Sequence, residues 1–184
     1  SHEKQPPIAG PQCTNCRDGF NYPCAFANTF ALLGYSQGLL AMANRFSDED
    51  AFGNITGGGQ NGVSEYKTSQ GFYNFVYDYN GTAVAHGWLP HLIGRNLTDI
   101  VAGFRGGELL TLPNWQGWDG WRLHTDFVRA ASAGGGWVRY PWVSDARGVF
   151  EKLAYVVEIT RRGGRKYYVG VGLADYDYGQ EADG

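Results

Sequence analysis

The run from residue 71 to residue 86 limits this chain more than any other. Phe72-Tyr73-Asn74-Phe75-Val76-Tyr77-Asp78-Tyr79 is aromatic and β-branched, Asn80-Gly81 follows, and Thr82-Ala83-Val84-Ala85-His86 returns. Side chains alternate faces along a strand, so Tyr73, Phe75, Tyr77 and Tyr79 share one face. Asn-Gly accepts the positive φ angles of a tight hairpin turn. The segment is therefore read as an antiparallel hairpin with an aromatic face. Composition agrees: 28 glycines, 6 tryptophans, 12 tyrosines and 10 phenylalanines suit a turn-rich sheet better than a helical bundle.

The remainder is organised around that hairpin. Residues 1–23 are punctuated by Pro, Gly and Cys and read as an extended leader, residues 24–178 as one domain, and 179–184 as a tail. A long N-terminal helix is expected from Ala25 to Phe46, with Leu32, Tyr35, Leu39, Met42 and Phe46 on one stripe. Ser47–Gly62 reads as a loop, acidic and then glycine-rich. Residues 87–121 read as an irregular, Trp-rich connection, which is long for a segment without regular structure. A short helix is expected over Arg122–Ala133. Strands should follow over Trp137–Trp142, Leu153–Ile159 and Tyr167–Gly172. The sum is α+β, with one antiparallel sheet of about five strands.

Several function classes are excluded or weakened. A net charge of −3 gives no basic footprint for nucleic acid. The run Arg161-Arg162-Gly163-Gly164-Arg165-Lys166 reads as a solvated hairpin tip. No apolar stretch reaches the roughly 18 to 20 residues of a membrane helix. Ser1-His2-Glu3-Lys4 is no signal peptide, which fits a chain whose targeting segment has been removed. No GxSxG, HExxH or assembled Cys-His pair appears, so neither catalysis nor a cofactor is expected.

Cys13, Cys16 and Cys24 cluster near the start. Zinc would need about four ligands, and no second CxxC follows. Position 17 is Arg17 rather than the His of a haem attachment site. The expectation is one disulfide tying down the leader, involving Cys24, which implies an oxidising compartment. Sequons at Asn54, Asn80 and Asn96 point the same way, toward a glycoprotein outside the cytoplasm. Asn80 has a separate explanation in its turn.

The residues also carry a resemblance. The 71–86 hairpin resembles the signature of single Cache domains, in which an aromatic strand runs through a turn into a strand ending Ala-His. Leu92-Ile93-Gly94-Arg95-Asn96-Leu97, Gly135-Gly136-Trp137-Val138-Arg139-Tyr140-Pro141-Trp142, Lys152-Leu153-Ala154-Tyr155-Val156 and Tyr168-Val169-Gly170-Val171-Gly172-Leu173 are similar to further family blocks, in family order. Gly87-Trp88 stands where the family has proline, and residues 101–120 are longer than its norm. The resemblance implies a PAS-like fold, with a long N-terminal helix on one sheet face and a ligand pocket on the other. It further implies an extracytoplasmic sensor of small organic anions, acting as a homodimer on an output domain (kinase, chemoreceptor or cyclase) outside this chain.

The candidate ligand-binding residues are Tyr73, Phe75, Tyr77, His86, Trp88, Tyr140, Trp142, Lys152 and Tyr155. Aromatic walls with a few converging polar groups are what a small-molecule pocket needs. His86 and Lys152 are the expected anchors for a short-chain carboxylate. A protonated His86 would make affinity fall as pH rises through its pKa. Arg95 and Arg139 are expected in ion pairs or in water. The alternative reading is an adhesion module that presents Trp115, Trp118 and Trp121 to a partner.

Overall fold

The computed structural model describes residues 47–57, 72–103, 115–144 and 148–173. The leader, the expected helix over residues 25–46, the three cysteines and the tail lie outside them. The described elements run in the order α1 (Asp48–Thr56), β1 (Phe72–Asp78), β2 (Ala83–His86), α2 (Leu97–Ala102), α3 (Gly120–Ser132), β3 (Gly136–Ser144), β4 (Gly148–Thr160) and β5 (Lys166–Leu173). A 3-10 turn at Pro90–Leu92 lies between β2 and α2.

All five strands form one antiparallel sheet in the order β2-β1-β5-β4-β3. This is the expected α+β architecture. The aromatic alternation holds: Tyr73, Phe75 and Tyr77 are buried on one face and join Tyr140, Trp142, Val156 and Tyr168 in a single core. α3 covers that face with Leu123, Phe127 and Ala131, while Leu97, Ile100, Val101 and Trp118 extend the cover. The opposite face buries Val76, Ala85, Val169 and Val171. α1 packs on it, with Phe52 edge-on to Tyr167 at 5.0 Å.

Four expectations need correction. Residues 48–56 are a helix, not a loop. Ser47 caps it by accepting from the Asp50 amide at 3.1 Å, and Asp48, Glu49 and Asp50 complement the positive end of the helix dipole. Its apolar stripe is only Ala51, Phe52 and Ile55, so it reads as polar in sequence. Residues 87–121 likewise contain α2, capped by Asn96, whose Oδ1 accepts from the Thr98 amide at 3.0 Å.

The hairpin turn is longer than two residues. The Gly81 amide bonds to the Asp78 carbonyl at 3.0 Å, so Tyr79 and Asn80 are its centre and Gly81 follows with φ +87°. Asp78 holds the loop by accepting from the amides of Asn80 and Thr82 through Oδ1.

Among the described residues the sheet's edges are β2 and β3. The outer side of β2 is covered: Ala83 exchanges backbone bonds with Gly94 and Arg95, and the His86 amide donates to Thr56 Oγ1 of α1 at 3.1 Å. β3 carries Pro141 in its interior, opposite Glu151. Proline lacks a ladder donor and is confined to such outer strands.

The basic run does cap the β4–β5 hairpin, but Arg161 is buried rather than solvated. Its Nε bonds Asp48 Oδ1 at 2.8 Å, while Arg165 and the Tyr167 hydroxyl reach Asp48 Oδ2 at 2.5 and 3.1 Å. Arg139 pairs with Glu151 at 2.5 Å, as expected of a structural ion pair.

Candidate functional site

Lys152 lies at the centre of a buried cluster of polar and aromatic groups. It stands opposite Tyr140 in the β3–β4 pairing, and its side chain is on the face covered by α3. No part of it is exposed. Its Nζ donates to the Tyr73 hydroxyl. The same nitrogen lies 4.4 Å from the centre of the Tyr73 ring, 5.0 Å from Trp142 and 5.9 Å from Tyr140. Ring faces are electronegative, so three of them around one ammonium offset part of its lost hydration.

Gly172 makes this placement possible. A Cβ there would stand 3.1 Å from Lys152 Cε and 3.5 Å from its Nζ. At Gly170 a Cβ would fall 2.2 Å from Phe75 Cζ, so glycine is what lets the Phe75 ring come this close to β5. The Gly-x-Gly spacing in β5 thus clears room for both neighbours.

His86 enters from β2, opposite Phe75, with its ring 4.8 Å from that of Tyr73. Its Nδ1 accepts from the Trp88 and Leu89 amides at 3.2 and 2.8 Å. An imidazole that accepts at Nδ1 carries its proton on Nε2 and is neutral. Burial, aided by the charge on Lys152 and then by His91, pushes its pKa down to about 3. His86 therefore offers a neutral N–H, the hydrogen-bonding rather than the cationic form of the expected anchor. The fall in affinity with rising pH belongs to a protonated His86 and does not apply to this neutral one.

This neutrality has a measurable consequence. The unfolded histidine takes up a proton below about pH 6.5, whereas the folded one resists until about pH 3. Stability from this group is complete above pH 6.5 and is lost as pH falls toward 3. Unfolding titrations in urea should show stability dropping by about 1.4 kcal/mol per pH unit in that window. His86→Asn keeps an acceptor for the two amides and does not titrate, so it should flatten the slope by one proton. An unchanged slope would refute the assignment.

The other expected site residues divide. Tyr73, Phe75, Tyr140 and Trp142 join Lys152 and His86. Trp88 sits at the rim, 40% exposed, with its ring 6.3 Å from Tyr73. Tyr77 shares the face but stacks on Tyr168 at 5.6 Å, further along β1. Tyr155 does not belong with them. It is three residues from Lys152 in one strand and so lies on the opposite face, against Trp137 at 5.1 Å.

The tryptophans of the alternative reading are also redistributed. Trp118 is in the core and Trp115 packs on it at 6.2 Å, leaving only Trp121 well exposed.

Sequence reasoning missed a second buried chain. His124 Nε2 donates to the Tyr79 carbonyl at 3.0 Å, which leaves its Nδ1 to accept from the Tyr168 hydroxyl at 3.0 Å. Burial lowers the His124 pKa against the raising effects of the Tyr79 bond and Asp78, and burial raises that of Tyr168. The helix stripe gives Phe127, but nothing in the spacing marks His124 as its polar member. Among the described residues no group of His, Cys, Asp and Glu could hold a metal ion, and no helix is long and apolar enough to cross a membrane.

A chain of a methyl-accepting chemotaxis protein from Vibrio parahaemolyticus RIMD 2210633 superposes on this one with a TM-score of 0.55. The match covers 82% of this chain and 88% of that chain, at 15% identity. The likeness is one of fold: α+β, with one five-stranded antiparallel sheet. A Cache chemosensory domain, described for carboxylic acid recognition, matches with TM-score 0.49 and 19% identity over 84% of this chain and 96% of its own. The PAS domain of Bordetella pertussis BvgS matches with TM-score 0.38 and 11% identity over 60% and 81%. No protein-family model and no curated protein matches the sequence. The Lys152 cluster lies on the sheet face away from α1, and Phe127 of α3 reaches its Tyr140 and Phe75.

Proposed function

We propose that this chain is a small-molecule sensing domain whose ligand is a short-chain carboxylate, and that it has no catalytic role. The observation that carries the reading is Lys152, fully buried, with its Nζ ringed by Tyr73, Trp142 and Tyr140. A buried ammonium facing aromatic walls suits a small anion with a short apolar tail. The neutral Nε2–H of His86 and the Tyr73 hydroxyl can serve as orienting donors, and Trp88 as the rim. The likeness in fold to a chemotaxis protein supports a sensing role, with the output domain elsewhere. The order of the Cache-like blocks supports an extracytoplasmic location and a homodimer.

Calorimetry with acetate, propionate, lactate and pyruvate tests this. Losing a charge-assisted contact should weaken binding by roughly ten- to a hundredfold, about 1.5 to 3 kcal/mol. Lys152→Met is expected to show that loss, while affinity of the parent stays flat between pH 6 and 8 because His86 does not titrate there. Unchanged binding in Lys152→Met, or no binding by any of the four acids, would end the carboxylate reading.

A further inference from the structure

We propose that Thr56 is a positioning residue that couples α1 to the strand carrying His86, so that α1 moves with the site although it lies on the other face of the sheet. The inference rests on the site assignment above and adds the route by which its state leaves it.

The geometry starts at the edge of the sheet. The Gly87 amide turns inward to the Asn74 carbonyl of β1 at 2.7 Å, so the neighbouring His86 amide turns outward. An outward donor on an edge strand needs a partner, and Thr56 Oγ1 supplies it at 3.1 Å. The His86 ring meanwhile sits against Tyr73 on the opposite face. One residue therefore touches the site with its side chain and α1 with its backbone.

The far end of α1 is fixed differently. Asp48 is held by Arg161, Arg165 and Tyr167 at the β4–β5 tip. Between the two ends, Ala51, Phe52 and Ile55 are buried on the sheet. A short helix pinned at one end by charge and hydrogen-bonded at the other through the Thr56 hydroxyl acts as a lever. A shift of β2 at His86 is passed to Thr56, and release of Asp48 is passed back. Coupling between two sites is reciprocal, so both directions can be read.

Amide hydrogen exchange on the full chain tests this without ligand. Asp48→Asn should speed exchange of the α1 amides and also of the His86 amide, by about tenfold. Thr56→Val should speed the His86 amide alike, and adding Asp48→Asn to it should add nothing there. Thr56→Ser keeps the hydroxyl and should restore the parent rate, which separates the joint from general loosening. A His86 amide unaffected by Asp48→Asn, or effects that multiply in the double variant, would overturn the proposal.

A second arm uses sodium propionate against sodium chloride. Propionate should slow exchange in α1 of the parent. In Thr56→Val it should still bind within about threefold of the parent affinity, but α1 should no longer be slowed. Persistent slowing of α1 in Thr56→Val would sink the joint. Failure of propionate to bind the parent counts against the ligand assignment alone, and the ligand-free arm then decides the coupling.

Discussion

Gly170→Ala should cost the domain about 3 kcal/mol or more, an unusually large effect for one methyl group. The new Cβ would sit 2.2 and 2.4 Å from two atoms of the Phe75 ring and 2.8 Å from Val156 Cγ1. Neither neighbour can retreat. Phe75 is held between Phe127 at 5.5 Å and Tyr77 at 5.8 Å, and Val156 is fully buried in β4. Urea unfolding should show a lower midpoint with a similar slope. Phe75→Leu in the same chain should recover part of the loss, giving a coupling of the sign expected for contacting residues. Gly172→Ala is the contrast. Its Cβ meets the end of a flexible lysine at 3.1 Å, so the cost should stay below about 1.5 kcal/mol while Lys152 is displaced. Equal costs at the two positions would show that the close approach is misassigned.

Phe127→Ala should cost about 3 to 5 kcal/mol. Phe127 is the largest apolar side chain with which α3 grips the sheet, beside Leu123 and Ala131. Its ring lies 5.5 Å from Phe75, 5.3 Å from Tyr140 and 5.4 Å from Tyr168, and it is 2% exposed. Removing it leaves a void lined by three large rings that are themselves fixed by neighbours, so collapse is limited. Against a stability of about 5 to 15 kcal/mol for an ordinary domain, that loss approaches global unfolding. Phe127→Leu should cost markedly less. Trp121→Ala, on the exposed side of the same helix, should change stability by no more than about 0.5 kcal/mol. A small effect at Phe127 in denaturant titration would mean that α3 is not the principal cover of the sheet.

Much of the architecture was legible because strand periodicity is strict. Tyr73, Phe75 and Tyr77 had to share a face, as did Tyr140 and Trp142, and both sets are found in one core. The helix at 120–132 was legible from Leu123, Phe127 and Ala131. α1 was not, because three acidic residues and Gly53 masked a stripe of only three buried side chains. Its signal was the cap at Ser47.

The site was half legible. Lys152 could be singled out as a cation, and its three-residue offset from Tyr155 already implied opposite faces. The state of His86 could not be read. It depends on two backbone amides two and three residues further on, just before the 3-10 turn at Pro90–Leu92. The Tyr79–His124–Tyr168 chain was hidden for a related reason, since it joins three elements far apart in sequence.

Pro141 has a consequence for life in a crowd. No described strand lies beyond β3, and a neighbour seeking to add itself there would find a missing donor and a pyrrolidine ring within a nine-residue track. At the opposite margin Thr56 and residues 94 and 95 already occupy the outward groups of β2. Templated growth, copy upon copy, is therefore discouraged at both ends of the sheet. The strand that supplies Tyr140 and Trp142 to the cluster also helps keep densely packed copies from fusing into fibres.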